Sequence, residues 1–250
     1  MEFFNNNNYE RTRILITGGA GFIGGALIRE LLRTSNCKIY NVDKLGYASD
    51  LTSIKKSLKQ LEIEKSDRHT FLNVDLSNAS DTESAVNFSN PDYVIHLAAE
   101  SHVDRSIKNP KEFINSNIIG TFNILESSKN HFIQLSLKRR NKFRFLHIST
   151  DEVFGSLTSH GKFNESSKYD PRSPYSASKA SSDHLVNAWF HTFGLPTITT
   201  NCTNNFGPWQ HPEKLIPKII FNAIQNKIIP IYGDGENIRD WLYVEDHAKA

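Results

Sequence analysis

Cysteine is scarce in this chain, and neither sign of charge dominates it. Only two cysteines, Cys37 and Cys202, occur in 250 residues, and they stand far apart in apolar, strand-like contexts. This usage excludes a disulfide framework and is typical of a reducing compartment, so we expect a cytoplasmic protein. The formal net charge is +2. Bulk electrostatics therefore gives no argument for binding nucleic acid or a membrane surface.

Long hydrophobic runs are also missing. No apolar stretch approaches the ~20 residues that a transmembrane helix needs. The start of the chain is rich in asparagine, at residues 5–8, and lacks the apolar centre of a secretory signal. We expect residues 1–11 to form a flexible N-terminus. With 38% hydrophobic and 22% charged residues, the rest of the chain has the composition of a folded globular protein.

Short β-branched or apolar runs alternate with amphipathic segments through the first 200 residues. This alternation predicts an α/β fold, a Rossmann-type doubly wound parallel sheet covered by helices on both faces. The predicted strands and helices are, in order, strands 13–17, 38–42, 70–74, 93–97, 143–148 and 197–200, and helices 22–33, 81–88, 112–130 and 176–193.

After Asn201 the sequence becomes richer in proline and in turn residues. Pro208, Pro212 and Pro230 interrupt it, and residues 233–235 form a Gly-Asp-Gly turn signal. We therefore expect residues 12–200 to form a dinucleotide-binding domain that carries the catalytic residues. Residues 201–250 are expected to form a smaller substrate-binding lobe. This lobe is expected to be incomplete at its C-terminal end, because the sequence stops within a helix predicted from Val244.

A glycine-rich segment directly follows the first predicted strand. Gly18, Gly21 and Gly24 have the spacing that permits a tight turn and brings backbone close to a pyrophosphate at a helix N-terminus. Asp43 ends the second strand, where a carboxylate accepts the ribose 2′-hydroxyl and favours NAD over NADP. Alternatively, Asp43 caps a turn. Asp75 ends the third strand, where it either reaches the adenine or has no role.

Two adjacent acids follow the fifth predicted strand, at the sheet edge where parallel sheets bind ligands. Thr150 offers a hydroxyl, and Asp151 and Glu152 offer carboxyls that can differ in pKa. The alternative is that Asp151 or Glu152 is the N-cap of a helical turn.

Tyr175 and Lys179 stand four residues apart in a predicted helix, so their side chains share one face. We expect the ammonium to lower the pKa of the phenol towards the operating pH, as a general base requires. Such a pair is also common on ordinary helix faces. Pro174 and the small residues 176–178 place Tyr175 at a helix start, next to room for a ligand.

Together these motifs resemble the extended short-chain dehydrogenase/reductases, and among them the nucleotide-sugar 4,6-dehydratases. The resemblance covers essentially all of residues 12–250. Its most specific element is Thr150-Asp-Glu152, because epimerases on the same scaffold keep the Tyr and Lys but usually lack the acid pair. The segments that carry it are Gly18–Gly24, Leu97–Ser106, Ser149–Val153, Pro174–Lys179, Asn201–Pro208, Pro212–Pro217 and Tyr232–Leu242.

The resemblance implies an NAD-dependent lyase that converts a nucleoside-diphosphate glucose into its 4-keto-6-deoxy form. Tyr175 would deprotonate the sugar 4-hydroxyl, and Lys179 would hold the phenolate and the nicotinamide ribose. Glu152 would remove the C5 proton, Asp151 would protonate the departing C6 hydroxyl, and Thr150 would bond the 4-oxygen. dTDP-glucose is the favoured substrate. UDP-glucose is the alternative, and a UDP-sugar 4-epimerase or decarboxylase is less favoured.

The same resemblance assigns further residues and a homodimer built on the helices after Lys111 and Pro174. No metal is implied, and His102 is interpreted as structural. The residues implied for NAD are Gly18, Gly21, Phe22, Ile23, Gly24, Asp43, Lys44, Leu45, Gly46, Asp75, Leu76, Leu97, Ala98, Ala99, Ser101, Ser116, Tyr175, Lys179 and Asn205. Those implied for the sugar nucleotide are Ser101, Thr150, Asn204, Lys214, Leu215, Pro230, Ile231, Tyr232 and Arg239.

Three positions depart from the family's usual residues. Phe154 and Phe206 stand where tyrosine is more common, and Gly25 replaces a serine. None of these changes touches the proposed chemistry. A non-catalytic NAD-sensing protein on the same fold is the remaining alternative, and the intact Tyr175, Lys179 and acid pair argue against it.

Overall fold

The computed structural model describes residues 11–64, 66–157, 161–231 and 234–250. Six parallel strands form one sheet in the order β3-β2-β1-β4-β5-β6, and β7 and β8 form a second, two-stranded sheet. The strands are β1 Arg13–Thr17, β2 Lys38–Asp43, β3 His69–Asn73, β4 Tyr93–His96, β5 Arg144–Thr150, β6 Thr197–Cys202, β7 Asn204–Phe206 and β8 Trp241–Tyr243. The predicted Rossmann-type sheet is confirmed.

Helices follow most of the strands. Their bounds are α1 Phe22–Thr34, α2 Thr52–Gln60, α3 Ala79–Ser89, α4 Val103–Lys108, α5 Pro110–Phe113, α6 Gly120–Gln134, α7 Leu137–Lys142, α8 Pro174–Phe193, α9 Leu215–Ile224 and α10 Val244–Lys249. Helix α8 begins with a capping box between Ser173 and Ser176, which fixes the helix start one residue before Tyr175.

The core lies on both faces of the large sheet because successive strand residues point to opposite sides. Leu15 of β1 packs with Leu125 of α6 and Val186 of α8 on one face. Its neighbours Ile14 and Ile16 pack with α1 and α2 on the other. Continuous burial of the central strands explains why their sequences are apolar runs and do not alternate with polar residues.

The single helix predicted over residues 112–130 is wrong in detail. The structure has α5, then a π-helical stretch at Ile114–Ile119, then α6. The carbonyl of Asn117 accepts hydrogen bonds from the hydroxyls of Thr121 and Ser182, both at 2.6 Å. These side chains compete for a backbone acceptor of the helix, which widens the turn. As a result Ser116 faces the sheet edge described below.

Residues 201–250 contain more regular structure than their prolines suggested. Helix α9 begins at Leu215 and includes Pro217. Proline is tolerated there because the first turn of a helix has no intrahelical partner for its N–H groups. The helix predicted from Val244 is confirmed as α10, which packs against α1.

The flexible N-terminus predicted for residues 1–11 lies outside the described residues except for Arg11, which pairs with Asp67. Within the described part of the chain, no helix has the length and apolar character needed to cross a membrane.

Two leucines, one on α6 and one on α7, differ sharply in burial, and their substitution tests the assigned core. Leu125 is fully buried and Leu137 is 76% exposed. Leu125→Ala should lower the free energy of unfolding by about 2–5 kcal/mol, since it leaves a cavity between helix and sheet. Leu137→Ala should change it by less than about 0.5 kcal/mol. Denaturant unfolding of both variants checks this, and equal costs would contradict the assigned core.

Candidate active site

The glycine-rich turn brings the end of β1 against the loop after β4. Gly18 has φ +72°, and a Cβ there would lie 2.6 Å from the backbone nitrogen of Ala98. A Cβ on Gly24 would lie 2.2 Å from the carbonyl oxygen of Gly18. Gly21, the N-cap of α1, offers no side-chain acceptor to the first helical turn. The turn therefore leaves backbone N–H groups for an anionic ligand such as a pyrophosphate.

Asp43 lies at the end of β2, beside this turn. Its carboxylate accepts hydrogen bonds from the backbone N–H of Ala20 at 3.0 Å and of Leu45 at 2.8 Å. Burial raises the pKa of Asp43, although these hydrogen bonds oppose the rise. The turn-capping alternative is therefore partly confirmed, because the Asp43 carboxylate bonds the backbone of the glycine-rich turn and of the loop after β2. Asp43 also lines the cavity described next.

One cavity of about 430 Å³ runs along the carboxyl ends of the strands and collects most of the predicted site residues. The predicted residues that line it are Gly18, Gly21, Phe22, Ile23, Gly24, Asp43, Lys44, Gly46, Asp75, Leu76, Leu97, Ala98, Ala99, Ser101, Ser116, Thr150, Glu152, Tyr175, Lys179, Asn204, Asn205, Lys214 and Leu215. Two predicted binding surfaces, for a dinucleotide and for a sugar nucleotide, therefore share one space.

The remaining predicted residues, Asp151 among them, lie outside that lining. Leu45 is 40% exposed and Ile231 is 73% exposed, and Pro230 is also exposed. Arg239 is exposed as well, yet its charge lowers the pKa of Glu152. Tyr232 lies outside the described residues. Most predicted site residues at the strand ends therefore line the cavity, whereas the described ones among residues 230–239 do not.

The two acids sit on a 3₁₀ turn, Asp151–Phe154, that leaves β5. Thr150, rather than either acid, is the N-cap, and its hydroxyl accepts from the backbone N–H of Glu152 at 3.3 Å. The capping alternative is therefore wrong, because neither Asp151 nor Glu152 is the N-cap residue. Glu152 faces the cavity, and Asp151 is held by a 3.3 Å hydrogen bond from Thr150.

Burial raises the pKa of both acids. For Asp151 burial is the main cause, and hydrogen bonds from Thr150 and the backbone oppose it. For Glu152 burial acts together with the neighbouring Asp151 charge, and the charges of Arg239 and Lys214 oppose them. The pair can therefore hold and exchange protons nearer neutral pH than exposed carboxyls do.

Tyr175 and Lys179 lie buried on one face of α8, next to the acid pair. Lys179 Nζ donates to the carbonyl of Ile148 at 2.9 Å. Burial raises the pKa of Tyr175, and the Glu152 carboxylate adds to the rise, while a hydrogen bond with Thr150 opposes it. The prediction that Lys179 brings this pKa towards neutrality is wrong, because burial and the nearby carboxylates dominate the pKa of Tyr175.

Sequence reasoning missed several residues that close the cavity edge. Tyr47 donates a hydrogen bond to Glu213, and the Arg105 guanidinium lies 3.7 Å from the centre of the Tyr47 ring. His102 Nε2 lies 3.5 Å from Glu213 Oε1. These contacts join loops up to 166 residues apart, so no local pattern indicates them. Other lining residues not predicted include Cys202, Gln210, His211 and Trp241.

The fold and the site together define a class of protein. A glycine turn after β1, an acid after β2 and a buried Tyr175/Lys179 pair on one helix are the features of dinucleotide-dependent short-chain dehydrogenase/reductases. Within the described ranges, no group of three or more His, Cys, Asp or Glu is placed to hold a metal ion.

Comparisons with known proteins narrow this class. Residues 15–250 match the family described as GDP-mannose 4,6 dehydratase, and the chain belongs to that family. It is 51% identical over 247 residues to a dTDP-glucose 4,6-dehydratase of Escherichia coli, covering 95% of this chain and 67% of that protein. It is 52% identical over 239 residues to one from Neisseria meningitidis serogroup B, covering 95% and 66%. The chain thus spans about two thirds of the length of these curated relatives.

Solved structures agree on the fold. The dTDP-glucose 4,6-dehydratase DesIV of Streptomyces venezuelae, solved with NAD bound, superposes with a TM-score of 0.83 at 38% identity, covering 95% of this chain and 70% of that one. A UDP-glucuronic acid 4-epimerase of Bacillus cereus gives 0.81 at 29% identity, covering 94% and 70%. The scaffold is therefore shared by dehydratases and epimerases.

Two neighbouring glycines test the phosphate-binding turn. Gly24→Ala should weaken NAD binding at least about tenfold, because its Cβ would lie 2.2 Å from the Gly18 carbonyl oxygen. Gly25→Ala is the matched control, since its Cβ would meet its nearest atom, on the flexible Arg29 side chain, at 3.4 Å. Both changes improve helix propensity equally. Calorimetric titration with NAD measures the difference, and equal affinities would argue against this turn as the site.

Proposed function

We propose that the protein catalyses the NAD-dependent 4,6-dehydration of a nucleoside-diphosphate glucose, with dTDP-glucose the favoured substrate. The observation that carries this proposal is that Thr150, Glu152, Tyr175 and Lys179 line one cavity, with Asp151 hydrogen-bonded to Thr150 next to it. An oxidation at C4 needs only a base and a hydride acceptor. Two extra carboxyls of raised pKa suit an elimination from the same ring. The relatives' names support the same reaction.

The oxidative half uses the buried helix pair. When bound, NAD supplies the hydride acceptor for C4, the hydride donor for C6 and a positive charge that favours the phenolate of Tyr175. Tyr175 accepts the proton of the 4-hydroxyl. Lys179, anchored to the Ile148 carbonyl at 2.9 Å, stabilises that phenolate. Thr150 is hydrogen-bonded to Tyr175 and is placed to bond the sugar 4-oxygen. The glycine turn and Asp43 hold the cofactor's pyrophosphate and ribose.

The elimination half uses the acid pair. The 4-ketone acidifies the C5–H bond, and Glu152 takes that proton as the C6–O bond breaks. Asp151 gives a proton to the leaving hydroxyl, so that water departs. Lys214 and Arg239 lower the pKa of Glu152, which favours the ionised base. A hydrogen bond to Thr150 orients Asp151. Hydride addition at C6 and protonation at C5 then complete the 4-keto-6-deoxy sugar.

Product analysis tests the reaction. The NAD-loaded protein, incubated with dTDP-glucose in deuterated water, should release a 4-keto product lighter by one water and carrying deuterium at C5. UDP-glucose is compared at equal concentration, and faster turnover would reverse the favoured nucleotide. A C4 epimer without water loss would instead support the epimerase alternative. No conversion of either substrate, or full activity in Tyr175→Phe, would overturn the proposal.

Glu152→Gln separates the two halves of the reaction. We expect kcat to fall about 100- to 10,000-fold, because a general base is lost. Oxidation at C4 should still occur, so the absorbance of the reduced cofactor should build up after substrate is added. Glu165→Gln is the control, since Glu165 is exposed and remote from the cavity. Normal turnover by Glu152→Gln would move the base to another residue.

We also propose a homodimer and a reducing, cytoplasmic setting. Phe122 on α6 and Phe190 and Phe193 on α8 are each between 42% and 47% exposed. Apolar side chains clustered on two adjacent helices are typical of an interface. Cys37 and Cys202 are both free thiols. Light scattering in solution is expected to give twice the chain mass, and a monomer at high concentration would contradict the dimer.

A further inference from the structure

Asp183 is a buried carboxylate to which the reaction above gives no role. It lies on α8, is 3% exposed, and stands four residues beyond Lys179. Its carboxylate is within hydrogen-bonding distance of four side chains. The distances are 3.0 Å to His147 Nε2, 2.8 Å to Ser149 Oγ, 3.1 Å to Tyr169 OH and 3.5 Å to Asn201 Nδ2. Burying a charge is costly unless it is paired or well hydrogen-bonded, so this placement needs a cause.

The side chains that bond Asp183 are neutral. Burial and the Lys179 charge lower the pKa of His147 to about 4, so its imidazole is uncharged at neutral pH. Ser149 and Tyr169 donate hydroxyls. Burial by itself would raise the pKa of Asp183, but the hydrogen bond with His147 and the Lys179 charge together lower it. Asp183 is therefore ionised at neutral pH, and its donors hold it without neutralising it.

Lys179 is a buried side chain of the opposite charge. It is 4% exposed, and its ammonium donates to a neutral carbonyl, that of Ile148. Burial lowers the pKa of Lys179, and the Asp183 charge is the largest influence that raises it. The ammonium is useful to Tyr175 only while it stays protonated.

The acid pair Asp151/Glu152 raises the pKa of Tyr175 and is not among the influences on Lys179. Within the described part of the chain, the other titratable groups around Lys179 carry no negative charge near neutral pH. Tyr175 shares its helix face, and burial raises the pKa of that phenol. Cys202 comes from β6, and burial raises its pKa to about 11. His96 on β4 stacks on His147 of β5 with ring centres 5.3 Å apart, and burial lowers the pKa of both imidazoles.

We propose that Asp183 is a positioning residue that keeps Lys179 protonated and directed at Tyr175. The inference rests on the proposed function for its catalytic meaning. Tyr175, Lys179 and Asp183 follow each other at four-residue steps, so they line one face of α8. Hydrogen bonds from His147, Ser149 and Tyr169 hold the carboxylate in place. The opposite charges therefore attract through the low-dielectric interior, while the ammonium bonds Ile148 and remains available to the phenol.

Replacing the charge tests this arrangement. Asp183→Asn keeps the side-chain size and an acceptor oxygen but removes the negative charge. The titration midpoint of Lys179 should fall by about 1–3 pH units. It is followed by the carbon-13 shift of labelled lysine Cε and assigned through its loss in Lys179→Arg. The alkaline limb of the kcat profile should move to lower pH in the same direction, because activity is lost once Lys179 deprotonates.

Tyr169→Phe is the matched control. It removes one hydrogen bond to Asp183 but leaves the charge, so the Lys179 midpoint should stay near that of the wild type. A midpoint unchanged in Asp183→Asn would overturn the proposal. If that variant does not fold, carbon-13 titration of aspartate carboxyls in the wild-type protein decides. An Asp183 that is protonated at pH 7 would overturn the proposal.

The lysine titration needs no turnover. A protein inactive on both sugar nucleotides would contradict the proposed function alone, and the Asp183–Lys179 coupling would still be read from the midpoint. Conversely, a dehydratase with an unmoved Lys179 midpoint would contradict this inference alone.

Discussion

The parallel register of the large sheet is the constraint on which the rest of the structure depends. Because β1, β2, β4 and β5 run in the same direction, their carboxyl ends meet at one edge. Gly18, Asp43, Leu97 and Thr150 stand at or directly after those ends. The backbone contact between Gly18 and Ala98 closes the edge at its centre, where only a residue without Cβ fits. Residues far apart in sequence therefore face one cavity.

Burial at that edge determines the chemistry. A low-dielectric site raises the pKa of Asp151 and Glu152, so these carboxyls can hold and pass protons nearer neutral pH. It also raises the pKa of the Tyr175 phenol, away from neutrality. The same burial makes a positive charge costly at Lys179. The Asp183 charge and the hydrogen bond to the Ile148 carbonyl offset that cost. The polar network therefore extends past the reacting groups to Asp183 and its hydrogen-bond donors.

Prediction from sequence succeeded where one local pattern has one structural meaning. The glycine turn, the alternation of strands and helices along the chain and the place of Tyr175 at the start of α8 follow from spacing and residue type. Prediction failed where contacts between residues distant in sequence, or the exact position of a residue within a helix, determine the structure. The π-helical stretch depends on hydroxyls of Thr121 and Ser182 that reach Asn117. Helix α9 tolerates Pro217 because of its position in the first turn, and the contact of Tyr47 with Glu213 joins loops 166 residues apart.

The amino-acid sequence by itself determined the class of fold and the residue types available for catalysis, because periodicity and turn residues act over short distances. Only the tertiary structure decided which charges are effective. Four-residue spacing placed Lys179 beside Tyr175 but suggested the wrong shift for the phenol's pKa. That pKa depends on desolvation and on carboxylates from another element, and spacing within one helix carries no information about either.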